Sequence, residues 1–110
     1  MTLNEYQALA SRTINPKLSN EEMLMHALHE IASECGEIHS FFQKVYQGHK
    51  IDEAKLKLEI GDLIWGASEF CTAKGWSLED VAYDNIKKLK DRYPDGFSVE
   101  RSLHRDQESD

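Results

Sequence analysis

The sequence predicts an all-α domain, four-helix-bundle-like, with its second and third helices antiparallel. Three observations lead there. Two segments open with the Ser/Thr-x-x-Glu pattern of a capping box. The long segments between them and the C-terminal end repeat apolar residues at alternating spacings of three and four, the period of one helix face. Prolines occur only at Pro16 and Pro94, where they fence off this body rather than interrupt it. No segment shows the period-two alternation of a strand.

Thr2-x-x-Glu5 opens a first helix expected over about 2–13, ended by Asn15-Pro16. Ser19-x-x-Glu22 opens a long second helix reaching about residue 46. Its predicted core stripe is Leu24, Leu28, Ile31, Cys35, Ile38, Phe42 and Val45. Gly48, in Gln47-Gly48-His49-Lys50, suits a left-handed residue just past a helix end. A third helix over about 52–73 carries Leu56, Ile60, Leu63, Ala67 and Phe70 in the same alternation and closes at Lys74-Gly75. Ser77-x-x-Asp80 starts a fourth, running to about residue 92 and burying Leu78, Ala82, Leu89 and Tyr93. Pro94-Asp95-Gly96 reads as a turn. Residues 1–99 form the domain, and 100–110 a polar tail expected to be flexible.

With 110 residues the chain is one domain with a modest core. A formal charge of −7 argues against a nucleic-acid backbone as partner. No apolar run approaches the roughly 20 residues that span a bilayer. The N-terminus lacks the charged and apolar regions of a signal peptide, and Cys35 and Cys71 lack CxxC spacing and occupy core-type positions. The expectation is a cytoplasmic protein with two buried thiols.

Two carboxylate pairs stand out, Glu34-x-x-Glu37 and Glu59-x-x-Asp62. Residues three apart share a helix face, and each of these acids directly precedes a core-type residue. The pairs therefore lie at the edge of the buried stripes, and antiparallel pairing of the two helices sets them opposite each other. Clustered acids at such an edge repel unless a cation neutralises them, and hard oxygen ligands suit Mg²⁺ or Mn²⁺. The competing reading is a solvated acidic face, which spacing alone leaves open. Glu30, one turn earlier, fits either. His26 and His29 do not form HExxH and read as ordinary side chains. On the fourth helix Asn85, Lys88 and Arg92 share a face. They serve either as a cationic helix end that offsets the dipole or as a phosphate clamp of point charge, bidentate fork and neutral donor.

These residues resemble those of the all-α, MazG-type nucleoside triphosphate pyrophosphohydrolases. Glu34-Cys-Gly-Glu37, then 21 residues, then Glu59-Ile-Gly-Asp62 is similar to that family's ExxE and ExxD signature. Glu59-Ile-Gly-Asp62-Leu-Ile-Trp65 resembles its E-x-G-D-L-L-W segment. Asn85-Ile-Lys-Lys88-Leu-Lys-Asp-Arg92-Tyr93-Pro94-Asp-Gly96-Phe97 resembles its N-x-x-K-L-x-x-R-Y-P-x-G-F ending. The compact size and this ending favour the MazG branch over the related dUTP diphosphatases and phosphoribosyl-ATP pyrophosphohydrolases.

The resemblance implies hydrolysis of a nucleoside triphosphate to the monophosphate and pyrophosphate. Glu34, Glu37, Glu59 and Asp62 would hold Mg²⁺, or Mn²⁺, on the phosphates, with Glu37 also orienting the attacking water. Lys88 and Arg92 would stabilise the triphosphate charge, Asn85 would position it, and Gln7 or Trp65 would border the base. The family assembles as dimers or dimers of dimers. The adjacent Phe41 and Phe42, which point to different faces of the second helix, agree with a homodimer or homotetramer. Two alternatives are a dUTP-type or damaged-nucleotide diphosphatase and a non-enzymatic acidic helical interaction module.

Overall fold

The structure, a computed structural model, describes residues 1–107. The chain is all-α, in two compact units that divide after Leu78. The first holds α1 (Leu3–Ser11), α2 (Asn20–Val45) and α3 (Glu53–Lys74). α4 (Leu78–Arg92) opens at the last residue of that unit, and α5 (Val99–Leu103) and a 3₁₀ turn (His104–Gln107) follow in the second.

The start signals act as read. Thr2 Oγ1 accepts from Glu5 N–H while Glu5 Oε1 accepts from Thr2 N–H, at 3.1 and 2.9 Å. Ser19 and Glu22 repeat the reciprocal pair at 3.1 and 3.0 Å. Asp52 caps α3 by accepting from Lys55 N–H. α2 ends before Gly48, and Gly75 terminates α3; both glycines have positive φ, 90° and 72°, where a side chain would be strained.

α3 is the central element of the first unit, packed by α2 on one side and α1 on another. Its pairing with α2 is antiparallel. His26 meets Glu69, Glu30 and Ile31 meet Gly66, and Glu34 meets Glu59, so advancing along α2 means retreating along α3. α1 is tied on by polar contacts at the far end of α3. Gln7 Nε2 donates to Thr72 Oγ1 and to the Trp76 carbonyl, while Gln7 Oε1 accepts from Leu78 N–H at 2.7 Å. Trp65 Nε1 donates to Thr13 Oγ1 at 2.7 Å. The Gln7 amide is thereby engaged within the chain.

The core stripe of α2 is rotated from the expected one. Leu28, Cys35, Phe42 and Val45 are exposed, whereas Ala27 and Glu34 are buried and Ile31, Ile38 and Phe41 half-buried. On α3 most of the expected stripe holds, with Leu56, Leu63, Ala67 and Phe70 half-buried, but Ile60 is 44% exposed and Gly66, Ser68, Glu69 and Cys71 are the buried residues. α2 carries apolar residues over much more than one stripe, so period alone does not select its inward face. Gly66 does: a Cβ there would stand 2.9 Å from Ile31 Cγ1, and its absence lets the helices approach. The expectation of two buried thiols holds for Cys71 and fails for Cys35, because Cys35 shares the outward face.

Leu78, the last residue of the first unit, is buried; in the second unit Ala82 and Tyr93 are half-buried, but Leu89 is 40% exposed. Arg101 Nε and Nη2 donate to the carbonyls of Arg92 and Asp91 at 2.7 and 2.8 Å, satisfying acceptors that a helix end leaves open. The first eight residues of the expected tail are thus helical turns; residues 108–110 lie outside the described residues.

The glycines give a paired prediction. Gly66→Ala should cost about 1–3 kcal/mol through forced displacement at Ile31. Gly36→Ala, with nothing within 4 Å of the new Cβ, should stabilise α2 by up to about 1 kcal/mol. Urea unfolding of both variants checks the opposite signs.

Candidate metal centre

The antiparallel pairing sets the middle of α2 against the first half of α3, and there three carboxylates converge. Oxygens of Glu34, Glu59 and Asp62 lie within 4.8 Å of one another. Glu34 is only 9% exposed, Glu59 is half-buried and Asp62 is open to solvent. Glu34 Oε2 is out of water and has no hydrogen-bond partner. A buried oxygen left so is expensive unless it is protonated or meets a cation.

The electrostatics agree. The Glu34 carboxyl is pushed up to about 8, first by sharing its proton with the Glu59 carboxylate. Burial follows, then Glu30, and finally the negative charges of Glu59 and Asp62. In the absence of a cation the cluster thus holds a proton at neutral pH. Three hard oxygen donors around a buried, unpartnered lone pair fit a divalent cation such as Mg²⁺ or Mn²⁺.

Glu37 is exposed and stands outside that trio; it lies one turn, about 4.5 Å, further along α2. There it borders, with Glu59, a cavity at the α2–α3 turn. Asn85 and Lys88 are exposed on α4, while Arg92, on the same helix face, is only 9% exposed. Trp65 donates to Thr13 and meets the His26 ring edge-on, with centroids 6.2 Å apart.

Three features had little or no sequence signal. Tyr6 on α1 is near enough to feel the charge of Asp62; its phenol is raised first by burial and then by that charge. Lys44, His49 and Lys50 line the cavity beside Glu37 and Glu59, although their sequence pattern marks only a helix stop. Glu69, 1% exposed, holds His26 Nδ1 at 2.9 Å from each carboxylate oxygen. His26 thus partners a buried acid, a contact its sequence pattern does not announce.

Residues 20–97 match the family model of the MazG nucleotide pyrophosphohydrolase domain. The chain belongs to that family. No curated protein and no solved structure gives a significant match. Membership in the MazG family suggests nucleotide pyrophosphohydrolase activity in general, in a family that typically uses divalent metal.

The raised Glu34 gives a pH prediction with a definite sign. Its ordinary value is 4.5 and its folded value about 8, so between these the folded state binds more protons than the unfolded one. The contribution is fully present below 4.5 and is lost as pH rises to about 8. Chelator-treated protein should therefore melt progressively lower across that window. Glu34→Gln, which cannot ionise, should flatten the slope in a melting series over pH.

Proposed function

We propose that this MazG-family chain is a divalent-metal-dependent nucleoside triphosphate pyrophosphohydrolase that releases the monophosphate and pyrophosphate. The observation that carries the reading is the convergence of Glu34, Glu59 and Asp62 around a buried oxygen with no partner. A protein with merely solvated acids has no reason to bury one of them against two others.

In this reading Glu34, Glu59 and Asp62 would hold the ion, with Glu37 as a further ligand or as the group that orients water. A bound divalent cation neutralises phosphate charge and acidifies water near neutral pH. Water attacks the α-phosphorus, its proton passes to a carboxylate, for which Glu37 is our candidate, and the bond to the bridging oxygen breaks as pyrophosphate leaves. Asn85, Lys88 and Arg92 are proposed as phosphate contacts, on the strength of the sequence resemblance and the face they share on α4. A positioned Lys and Arg stabilise charge as it shifts toward the leaving group.

A homodimer or homotetramer belongs to the same proposal. Leu28, Phe42, Val45, Ile60 and Ile64 are each 44–48% exposed, and Tyr46 and Leu58 more so, a large apolar surface for a small chain. No helix among the described residues is long and apolar enough to cross a membrane. The charge of −7 favours a small nucleotide over a nucleic acid, and we place the protein in the cytoplasm.

The test replaces a ligand without changing its shape. Asp62→Asn or Glu59→Gln should lower pyrophosphate release from triphosphates by orders of magnitude. The variant should remain folded and, free of metal, should melt higher than wild type, because one repelling charge is gone. Mg²⁺ should raise the wild-type melting temperature clearly and the variant's little. Unchanged turnover in the variants would remove the proposed function.

A further inference from the structure

We propose that the cavity at the α2–α3 turn is the subsite for the pyrophosphate half of the substrate, with Lys44 and Lys50 as its cationic wall. This rests on the reading of the chain as a metal-dependent pyrophosphohydrolase and assigns a place to the leaving group within it.

The cavity measures about 230 Å³ and is bounded by Glu37, Asp52 and Glu59 on one hand and Lys44, His49 and Lys50 on the other. The local fold builds it. α2 ends in the turn at Gly48, where His49 N–H donates to the Lys44 carbonyl at 3.1 Å. The chain then reverses into α3 under the Asp52 cap, whose Oδ1 accepts from Lys55 N–H. The cations of the turn thereby come to lie beside acids from the helix bodies.

Size and charge narrow what can enter. At roughly 30 Å³ per water the space holds about eight waters. Pockets that enclose whole drug-sized ligands run to about 300–1,000 Å³, so this one takes part of a nucleotide. Three carboxylates face two ammonium groups and an imidazole, so without metal the wall carries no excess of positive charge to draw an anion. Glu59 belongs both to this cavity and to the carboxylate cluster. A divalent cation held by the cluster would lie beside the cavity and offset two of the negative charges there, leaving Lys44 and Lys50 to meet an incoming anion against less repulsion. Among the parts of a nucleoside triphosphate, the two terminal phosphates are the polyanion that such a space selects. Lysines suit them as mobile point charges that need no fixed fork. Occupancy by pyrophosphate and by the cation is then coupled, each strengthening the other.

The test is calorimetric titration of inorganic pyrophosphate, with excess Mg²⁺ and without it, into wild type and the Lys44→Met/Lys50→Met double variant. A nucleoside monophosphate serves as the comparison ligand. Wild type should bind pyrophosphate only with Mg²⁺. The double variant should bind it at least tenfold more weakly, change less than twofold toward the monophosphate, and hold Mg²⁺ alone no more weakly than wild type. Both lysines are exposed, so the fold should persist. Lys44→Arg/Lys50→Arg, which keeps the charges, should stay within about threefold of wild type and separates charge loss from misfolding. Unchanged pyrophosphate affinity in the folded double variant overturns the subsite. So does an equal loss for the monophosphate, which would place the nucleoside in the cavity. Hydrolysis by wild type with either of those results leaves the proposed function standing and removes only the subsite. Mg²⁺-dependent pyrophosphate binding that needs the lysines, in a protein that cleaves no triphosphate, keeps the subsite and removes the function.

Discussion

The rest of the first unit is arranged around the burial of one carboxylate, Glu34, between two helices. Moving an ionised carboxyl out of water costs several kcal/mol even after relaxation, and Glu59 and Asp62 add repulsion rather than relief. Only a proton or a cation settles such a cluster. The pairing of α2 with α3 is built to keep it buried nonetheless. Gly66 removes the side chain that would hold the helices apart near Ile31. Two turns from Glu34, His26 closes over the buried Glu69 and fixes the register with a second polar contact. The α2–α3 seam is thus polar along much of its length, from the His26–Glu69 pair through Glu30 and Glu34 to the cavity at the turn.

That arrangement uses up the surface that ordinarily stabilises a helix pair. The buried apolar residues are few and mostly small: Ala10, Ile14, Ala27, Cys71 and Leu78. Several bulky ones, Leu28, Phe42, Val45 and Ile60, are 44–48% exposed, while Ile31, Ile38, Phe41 and Phe70 are half-buried. α1 adds little apolar burial of its own and is anchored by the three hydrogen bonds of the Gln7 amide. A core this thin gains little from apolar burial. In the proposed metal-bound homo-oligomer, mass action from a second copy and from the ion would add to the folded state's stability.

This division explains what could be read from the sequence. Helix starts rest on contacts three residues apart, so Thr2–Glu5 and Ser19–Glu22 were legible, as were the stops at Gly48 and Gly75. The meeting of Glu34 with Glu59 and Asp62 follows from their spacing on an antiparallel helix pair. The rotation of α2 was hidden because it is decided across the chain. Gly66 faces Ile31 and Glu69 faces His26, and neither pairing leaves a periodic mark. Once α2 is rotated, Glu34 moves from the edge of the interface to its interior and Cys35 moves out to solvent. Lys44 and Lys50 look like an ordinary basic helix end and loop in sequence, and only the reversal of the chain sets them beside Glu59.

In the proposed function Glu34 exchanges its proton for a divalent cation. Titration of Mg²⁺ into the protein at pH 7, in buffers of differing ionisation enthalpy, measures that exchange directly. With Glu34 raised to about 8, binding should release close to one proton at pH 7, and the release should vanish in Glu34→Gln. Mg²⁺ binding with no proton release, release that persists in Glu34→Gln, or no binding at all would contradict the account.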